Sequence, residues 1–300
     1  MRVLVAGATG LVGTALVRFM DAMGHDVSRL VRGERTGDLD IPWDPARGNV
    51  PASLLEGFDA VVCLSGAPIA GGRWSPQRKM ILRDSRIGPL ELLSSTLARC
   101  KDKPECLVCA SAVGFYGADR GAEVLTEDSP SGADFLAHLC LDWEQAAKPA
   151  SEAGIRVVNI RFGVVLSLEG GVLRQLSRPF WLGLGGKFGN GRQYMSWLSL
   201  DDAVGIIDYS IQTESVEGPL NATAPNPVTN AEFTRAVGHA LHRPALARVP
   251  AFVLRSAMGE MSQLLLGSTR AYPRRLEAAG YQFRHPEIHA LLRALLTTCV

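Results

Sequence analysis

Three glycines near the start of the chain have the spacing of a phosphate-binding turn. The run VAGATGLVG places Gly7, Gly10 and Gly13 between an apolar, β-branched segment at residues 2–6 and a helical pattern that begins at Leu11. This order of strand, turn and helix brings backbone N–H groups and a helix N-terminus to one point, where a pyrophosphate can bind. Gly7 permits the sharp turn, Gly10 lets backbone approach the phosphates, and Gly13 lets the helix pack closely on the strand. The motif therefore predicts dinucleotide binding.

The end of the next predicted strand bears on which dinucleotide binds. Residues 26–31 form a strand-like run that ends at Arg32, and Glu34 and Arg35 follow. At this point of a dinucleotide fold an acidic residue binds the free 2′-hydroxyl of the adenosine ribose, whereas an arginine accommodates a 2′-phosphate. Arg32 favours NADP because it lies directly at the strand end. Glu34, about 20 residues beyond the glycines, keeps NAD as the alternative.

Two pairs of residues have spacings that occur in metal sites. Cys106 and Cys109 lie in a strand-like run, where positions three apart face opposite sides of a sheet, so they cannot easily share a metal or a disulfide. His285 and His289 are spaced for one helical face, but the sequence shows no third ligand. We predict no metal site.

The elements that position the glycine turn alternate between strands and helices. Strands are predicted at residues 2–6, 26–31, 59–64, 106–110 and 155–160, and helices at residues 76–100, 133–153, 203–211, 230–241 and 252–266. This alternation predicts an α/β fold with a Rossmann doubly wound parallel sheet. Small residues after the strand at 59–64, beginning with Ser65, would let a cofactor lie across its carboxyl end.

The composition of the sequence changes from Gly163 onward. Glycine and aromatic residues are dense at 180–197, which predicts a long functional or inter-domain loop. Asp201 and Asp202 follow Ser199 and are interpreted as a helix cap. We therefore expect an NADP-binding Rossmann domain at 1–165, with a returning segment near 199–223, and a smaller mixed substrate-binding region at 166–300.

The composition narrows the class of partner. The chain has 300 residues, 47% of them hydrophobic, with 31 Lys or Arg residues against 30 Asp or Glu residues. This balance gives no electrostatic footprint for nucleic acid or for an anionic membrane, and it favours a small ligand. We expect a soluble cytoplasmic protein, since the sequence shows neither a signal-like segment nor an apolar run of membrane-spanning length. A processed organellar protein would look the same, and a homodimer is left open.

The combination of several runs resembles a known family. VAGATGLVG, SAVGFYG after a central strand, IRFGVVLS after a later one and SWLSLDDA resemble an extended short-chain dehydrogenase/reductase. IPWDP, GGRW, DSRI, DWE, GLGGKFGNGRQYMSW and NATAPNPVTNAEF are similar to the atypical branch described as nucleoside-diphosphate-sugar epimerase-like proteins. Members of that branch are sometimes labelled cell-division inhibitors of SulA type. The resemblance covers nearly the whole chain.

The resemblance implies NADP as the cofactor, and it implies specific contacts. The contacts in the glycine turn are Thr9, Gly10, Leu11 and Val12, and Arg32 is the contact at the end of the second strand. The others are Leu64 and Ser65 after the strand at 59–64, Ile81 and Arg86 on the following helix, and Val164 and Val165 after the strand that ends at Arg161.

The sequence departs from the wider superfamily at the proton-transfer residues. Reductases of this fold use a Tyr-x-x-x-Lys pair, in which the lysine lowers the pKa of the tyrosine and the tyrosine transfers a proton. When the chain is aligned on Trp143 and Glu144, these positions are Leu136 and Cys140, and neither can perform that task. The partner serine position falls near Ala112, and the adjacent Ser111, one residue away in register, is a candidate for that role.

Two substitutes for the missing pair can be proposed. Tyr116 follows the strand that carries Ser111, where a nicotinamide ring is expected, so its hydroxyl is a candidate proton donor. The alternative is that Tyr116 shapes a turn and packs its ring. Cys140 is a weaker candidate nucleophile, because the only histidine near it in sequence, His138, points elsewhere on the helix.

Two functions remain open. The first is an NADP-dependent oxidoreductase, or an epimerase that uses tightly held NADP, acting on a small polar or sugar-nucleotide-like substrate between the two regions. The second is a non-catalytic protein that binds NADP(H) and acts as a sensor or scaffold, which the missing Tyr-x-x-x-Lys pair supports. No residue supports a cell-division function.

Overall fold

The computed structural model describes residues 1–33, 37, 39–48 and 50–297. The strands are β1 Arg2–Ala6, β2 Asp26–Val31, β3 Asp40–Pro42, β4 Ala60–Cys63, β5 Cys106–Ala112, β6 Asp119–Leu125, β7 Arg156–Phe162, β8 Val164–Leu166, β9 Gly186–Phe188, β10 Tyr194–Met195, β11 Trp197–Ser199, β12 Gly218–Ala222, β13 Val228–Thr229, β14 Ala247–Val249 and β15 Ser268–Ala271. The α-helices are α1 Leu11–Ala22, α2 Pro76–Leu97, α3 Phe135–Gln145, α4 Lys148–Glu152, α5 Gly171–Trp181, α6 Leu200–Gln212, α7 Asn230–Ala240, α8 Ala251–Met258, α9 Gln263–Leu266, α10 Arg274–Ala278 and α11 Ile288–Thr297.

Seven strands form one parallel sheet in the order β12, β7, β5, β4, β1, β2, β3. The strand order reverses beside β1, because β1 pairs with β2 on one side and with β4 on the other. In such a sheet the carboxyl ends of the strands around the reversal form the crevice in which ligands bind. The predicted doubly wound Rossmann-type fold is confirmed.

Helices cover both faces of the sheet, as its apolar strands require. α1 and α6 pack on one face, where Leu16 and Ile207 are fully buried. α2, α3 and α4 pack on the other face, where Leu93 and Trp143 are buried. Cys106 belongs to the first face and Cys109 to the second, as their spacing predicts.

The segment after residue 165 contributes to both parts of the structure. α6 packs on the large sheet and β12 is its edge strand, so residues near 199–223 return to the sheet. α5, α7 and α11 form a separate apolar cluster that contains Leu173, Phe233 and Leu292. The division into a domain at 1–165 and a substrate region at 166–300 remains a proposal.

Three expectations about elements are wrong in detail. The helix expected at 133–153 is two helices, because Pro149 has no N–H to continue the hydrogen bonding of α3. The helix expected at 252–266 is interrupted at Gly259, whose φ is +61°. The loop expected at 180–197 begins at the end of α5. It contains β9 and β10, which pair with β14 and β13, and it ends at the first residue of β11, which pairs with β8.

Within the described ranges, no helix has the length and apolarity needed to cross a membrane.

Candidate functional site

The glycine turn lies at the carboxyl end of β1 and is packed too closely for larger residues. Gly7 has a φ of +83°, and a Cβ atom at this position would lie 2.7 Å from the carbonyl carbon of Leu64. A Cβ at Gly13 would lie 2.2 Å from the carbonyl oxygen of Gly7. The turn therefore requires glycine at both positions, as the motif predicts.

The first turn of α1 is open to an anion. Gly10 caps the helix and has no side chain to accept its first N–H groups, and no acidic residue lies in the first turn. Thr9 and Gly10 are exposed, while Leu11 and Val12 are half-buried. Free N–H groups and the positive end of the helix dipole attract a phosphate group. The residues present fit the pyrophosphate of a dinucleotide.

Residues from three other segments surround this turn. Leu64 donates its N–H to the Ala6 carbonyl oxygen at 2.8 Å, which holds Leu64 and Ser65 against Gly7. On the other side, a Cβ at Gly171 would lie 3.2 Å from a Leu11 methyl group and 3.6 Å from the Val165 carbonyl oxygen. The structure thus brings together these predicted cofactor residues.

Arg32 lies directly after β2 and is exposed, so its guanidinium is accessible at this edge of the sheet. Glu34 and Arg35, which bear on the choice between NAD and NADP, lie outside the described residues. Val164 is in β8, where it pairs with Trp197 of β11.

The two predicted residues of α2 have different surroundings. Arg86 is partly buried and donates to the carbonyl oxygens of Ala67 at 2.9 Å and Leu82 at 3.0 Å. Burial lowers the pKa of its guanidinium, which also lies 5.2 Å from the centre of the Trp143 ring. Ile81, by contrast, is half exposed. Arg86 therefore holds the loop after β4, whereas Ile81 is free to touch a ligand.

Ser111 and Tyr116 belong to one buried polar network. The Ser111 hydroxyl donates to Glu144 Oε1 at 2.7 Å. The Tyr116 hydroxyl donates to Asn221 Oδ1 at 2.7 Å and accepts from Arg161 at 3.1 Å. Tyr116 is fully buried, and burial raises the pKa of its hydroxyl. Both hydroxyls are directed into the protein in this structure.

The centre of the network is an ion pair that the sequence analysis did not identify. Arg161 donates to the two carboxylate oxygens of Glu144 at 2.8 and 2.9 Å, and its guanidinium lies 3.4 Å from the centre of the Phe115 ring. Burial opposes the charged form of Arg161, but Glu144 outweighs it, so the pKa of Arg161 lies above its usual value. The one signal in the sequence is an arginine within an apolar strand, which needs a partner when buried.

The two residues that the sequence analysis aligns with the Tyr-x-x-x-Lys pair are held by packing. Leu136 and Cys140 lie on α3 against Gly114, where a Cβ would be 3.3 Å from the Leu136 Cβ and 3.7 Å from the Cys140 sulfur. Burial raises the pKa of the Cys140 thiol to about 12, which is unfavourable for a nucleophile. His138 is exposed on the same helix.

Other features lie away from the glycine turn. An open groove of about 920 Å³ lies over β7, next to the edge strand β12, and includes Asn159 and Arg275. His285 lies 3.2 Å from Asp201, and His289 is in α11. Asp202, expected only as a cap, also accepts the N–H groups of Arg284 and His285. No group of three metal-binding side chains occurs in the part of the chain that the structure covers.

The parallel sheet and the glycine turn at its reversal point define a dinucleotide-binding α/β protein. The chain belongs to the NAD dependent epimerase/dehydratase family, whose model matches residues 3–222. Residues 249–295 match a second model, described as a domain of unknown function (DUF1731).

Relatives match over nearly the whole chain. Epimerase family protein MT2273 of Mycobacterium tuberculosis is 46% identical over 288 residues, which cover 95% of this chain and 94% of that protein. The crystal structure of human epimerase family protein SDR39U1 (isoform 2) with NADPH has a TM-score of 0.92 and 34% identity, and 99% of each chain is covered. The structure of a nucleoside-diphosphate sugar epimerase from Corynebacterium glutamicum has a TM-score of 0.83 and 39% identity, covering 99% of this chain and 58% of that one. These relatives carry epimerase names, and none of them carries the cell-division label.

Proposed function

We propose that this chain binds NADP(H) across the carboxyl ends of β1, β2 and β4. The observation that carries the proposal is the glycine turn, where Gly7 and Gly13 have no room for a side chain and the first turn of α1 is open. The NADPH-bound human relative, similar over 99% of the chain, supports the same ligand. We assign the pyrophosphate to the turn from Gly7 to Gly13 and the 2′-phosphate to Arg32.

We propose further that the nicotinamide end lies at the carboxyl ends of β4, β5 and β7. Leu64 and Ser65 follow β4, and Val164 and Val165 follow β7. Arg86 packs against the loop that begins at Gly66. A Cβ atom added to Gly66 would lie only 3.2 Å from the Arg86 guanidinium carbon. A bound NADPH would supply a hydride. The chain's own groups would fix its position and exclude water from its reactive face.

The proposed activity is oxidoreductase or epimerase-like chemistry on a small polar or sugar-nucleotide-like substrate, held between this edge and the region 166–300. Ser111 and Tyr116 are the two hydroxyl residues that the sequence suggests as substitutes for the usual proton-transfer groups. Because both donate into the buried network, we propose that they support the site, and that Tyr116 does not give a proton to the substrate.

A specific observation favours a second candidate function. Leu136 and Cys140, the residues that align with the proton-transfer pair, pack against Gly114, and the hydroxyls of Ser111 and Tyr116 are held by Glu144 and Asn221. A site without a proton donor would bind NADP(H) without turnover. The alternative is thus a protein that reports the state of the cofactor to a partner.

Two measurements separate these functions. The first is titration of the purified protein with NADPH while the nicotinamide fluorescence is followed. The second is a screen of carbonyl compounds and sugar nucleotides for loss of NADPH absorbance or for exchange of a substrate C–H bond. Tight binding with turnover supports the enzyme, and tight binding without turnover in any class supports the sensor. Absence of NADPH binding would refute both.

A further inference from the structure

Two segments after residue 165 contain basic residues and no acidic ones. Residues 170–199 and 241–259 include seven Arg or Lys residues, among them Arg174, Arg178 and Arg255, and they include no Asp or Glu residue. None of the ion pairs in the described residues involves any of the seven. Because the whole chain has a net charge of only +1, this positive charge is balanced by acidic residues elsewhere.

The two segments form one piece of structure. β9 pairs with β14, so that Gly186 lies beside Ala247 and Phe188 beside Val249. The end of α5 packs on the same ribbon, because the ring of Phe180 lies against Gly185. The two segments are therefore neighbours in the fold, and we call their exposed side chains, within residues 170–199 and 241–259, the basic ribbon surface.

The same surface exposes large apolar side chains. Six of the thirteen large apolar residues that are exposed in the described chain lie here, although the two segments are about one-sixth of the sequence. They are Trp181, Leu182, Leu184, Leu246, Phe252 and Val253. Leu182 is 76% exposed, Leu246 is 90% exposed and Phe252 is 70% exposed. Clustered exposure of this kind marks an interaction site.

We propose that the basic ribbon surface docks on an anionic lipid bilayer. Arginine and lysine beside exposed leucine, phenylalanine and tryptophan are the composition of surfaces that lie in the membrane interface. The basic side chains are attracted to anionic headgroups, while the apolar side chains enter the boundary of the acyl chains. This proposal departs from the expectation of no membrane partner, because a balanced total charge is compatible with a one-sided distribution of charge.

Charge and exposure disfavour two other occupants. A second copy related by two-fold symmetry would bring the same basic residues against each other. A nucleic acid would pair with the arginines through its phosphates, but it would leave Leu182 and Leu246 in water. An anionic bilayer satisfies both kinds of side chain.

Cosedimentation with vesicles tests the proposal. The probes are vesicles of phosphatidylcholine alone and vesicles that contain about one-third phosphatidylglycerol. We expect the protein to bind only the second kind, and added salt to weaken the binding. Charge reversal in Arg174→Glu/Arg178→Glu should lower the partition coefficient at least tenfold, since each basic residue contributes about fivefold. Leu182→Ser/Leu246→Ser should lower it to a similar extent.

Matched controls carry the same changes elsewhere on the surface. Met23→Ser/Met80→Ser alters residues that are 58% and 57% exposed, and Lys101→Glu/Lys103→Glu reverses two exposed charges. These controls should bind vesicles like the unaltered protein.

Several results would overturn the proposal. They are no binding to the anionic vesicles, equal losses in the ribbon and control variants, or tighter binding to duplex DNA. A further contradicting result would be a dimer, detected by light scattering, that Leu182→Ser/Leu246→Ser dissociates without any change in vesicle binding. NADPH titration of every variant checks the fold and keeps this test separate from the cofactor proposal.

Discussion

The buried ion pair between Arg161 and Glu144 gives a prediction whose size follows from the structure. The side chain of Arg161 is 4% exposed and that of Glu144 is 13% exposed. Glu144→Gln keeps the shape and one acceptor oxygen but removes the negative charge, so the Arg161 charge remains buried without compensation. Removal of one partner from a buried pair costs about 3–5 kcal/mol. We expect the lower end, about 3 kcal/mol of unfolding free energy, because the glutamine still accepts a hydrogen bond.

Urea unfolding followed by circular dichroism measures this cost. In a chain of 300 residues the unfolding entropy is about 0.6 kcal/mol/K, so the same change lowers the melting temperature by roughly 5 °C. Glu152→Gln is the matched control, because Glu152 pairs with Lys148 on the surface, where the two side chains are 66% and 72% exposed. An exposed pair contributes about 0–1 kcal/mol, so the control should unfold almost like the unaltered protein.

A double substitution checks the cause of the destabilisation. Glu144→Leu combined with Arg161→Met removes both charges, and apolar replacement of a whole buried pair is often nearly neutral. The double variant should therefore be more stable than Glu144→Gln. Equal unfolding free energies for Glu144→Gln and Glu152→Gln would refute the reasoning. The buried charge of Arg161 would then not need the negative charge of Glu144 for its stabilisation.

Three further outcomes follow from the site. Gly13→Ala places a Cβ 2.2 Å from the Gly7 carbonyl oxygen, so it should abolish NADPH binding in a fluorescence titration. Gly88→Ala is the control and should not weaken binding, because the added Cβ would have no neighbouring atom within 4 Å. Burial raises the pKa of Cys140 to about 12, so this thiol should resist iodoacetamide in the native protein near pH 8 and react after unfolding. Peptide mass spectrometry measures the labelling. Rapid labelling of the native protein would support the nucleophile hypothesis. Tyr116→Phe leaves Asn221 Oδ1 without its hydroxyl donor, so it should lower the unfolding free energy by about 1–3 kcal/mol. Turnover of any substrate found should be unchanged. A loss of turnover without a loss of stability would instead support the proton-donor hypothesis.

The glycine turn and the inner strands are predictable because their signals are local. β1 has the predicted bounds, since an apolar β-branched run leads directly into a glycine that must take a positive φ. The alternation of strands and helices then determines a parallel sheet, because parallel neighbours need helical crossovers. The same reasoning places Gly7, Leu64 and Ser65 at one edge, as the structure shows.

The polar network behind β5 could not be predicted in this way. Arg161 and Glu144 are on a strand and a helix whose relative position depends on the packing of the whole α3 layer. Neither residue type nor spacing indicates which carboxylate meets which arginine. The burial of the Tyr116 hydroxyl follows from the turn after β5 and its contact with Asn221 on β12, over 100 residues away in sequence.

The short strands after residue 185 are hidden from the sequence for a related reason. β9 has only three residues, which are too few to show an alternating apolar pattern. Its partner β14 begins at Ala247, far away in sequence. Glycine at position 186 is needed because a Cβ there would lie 2.1 Å from the Ala247 carbonyl oxygen. Glycine density in the sequence indicates a loop, whereas here it allows the close approach of two strands.

The affinities for NADPH and NADH of the unaltered protein and of Arg32→Ala test the central claim most directly. Loss of a hydrogen bond to a charged group costs about 1.5–3 kcal/mol, so Arg32→Ala should weaken NADPH by roughly ten- to a hundredfold and leave NADH almost unchanged. Arg47→Ala is the control, because the Arg47 side chain is 85% exposed and pairs with Asp44. We predict that the unaltered protein prefers NADPH and that the preference is lost in Arg32→Ala alone. Equal affinity of the unaltered protein for the two nucleotides, or equal losses of both in the variant, would contradict the account.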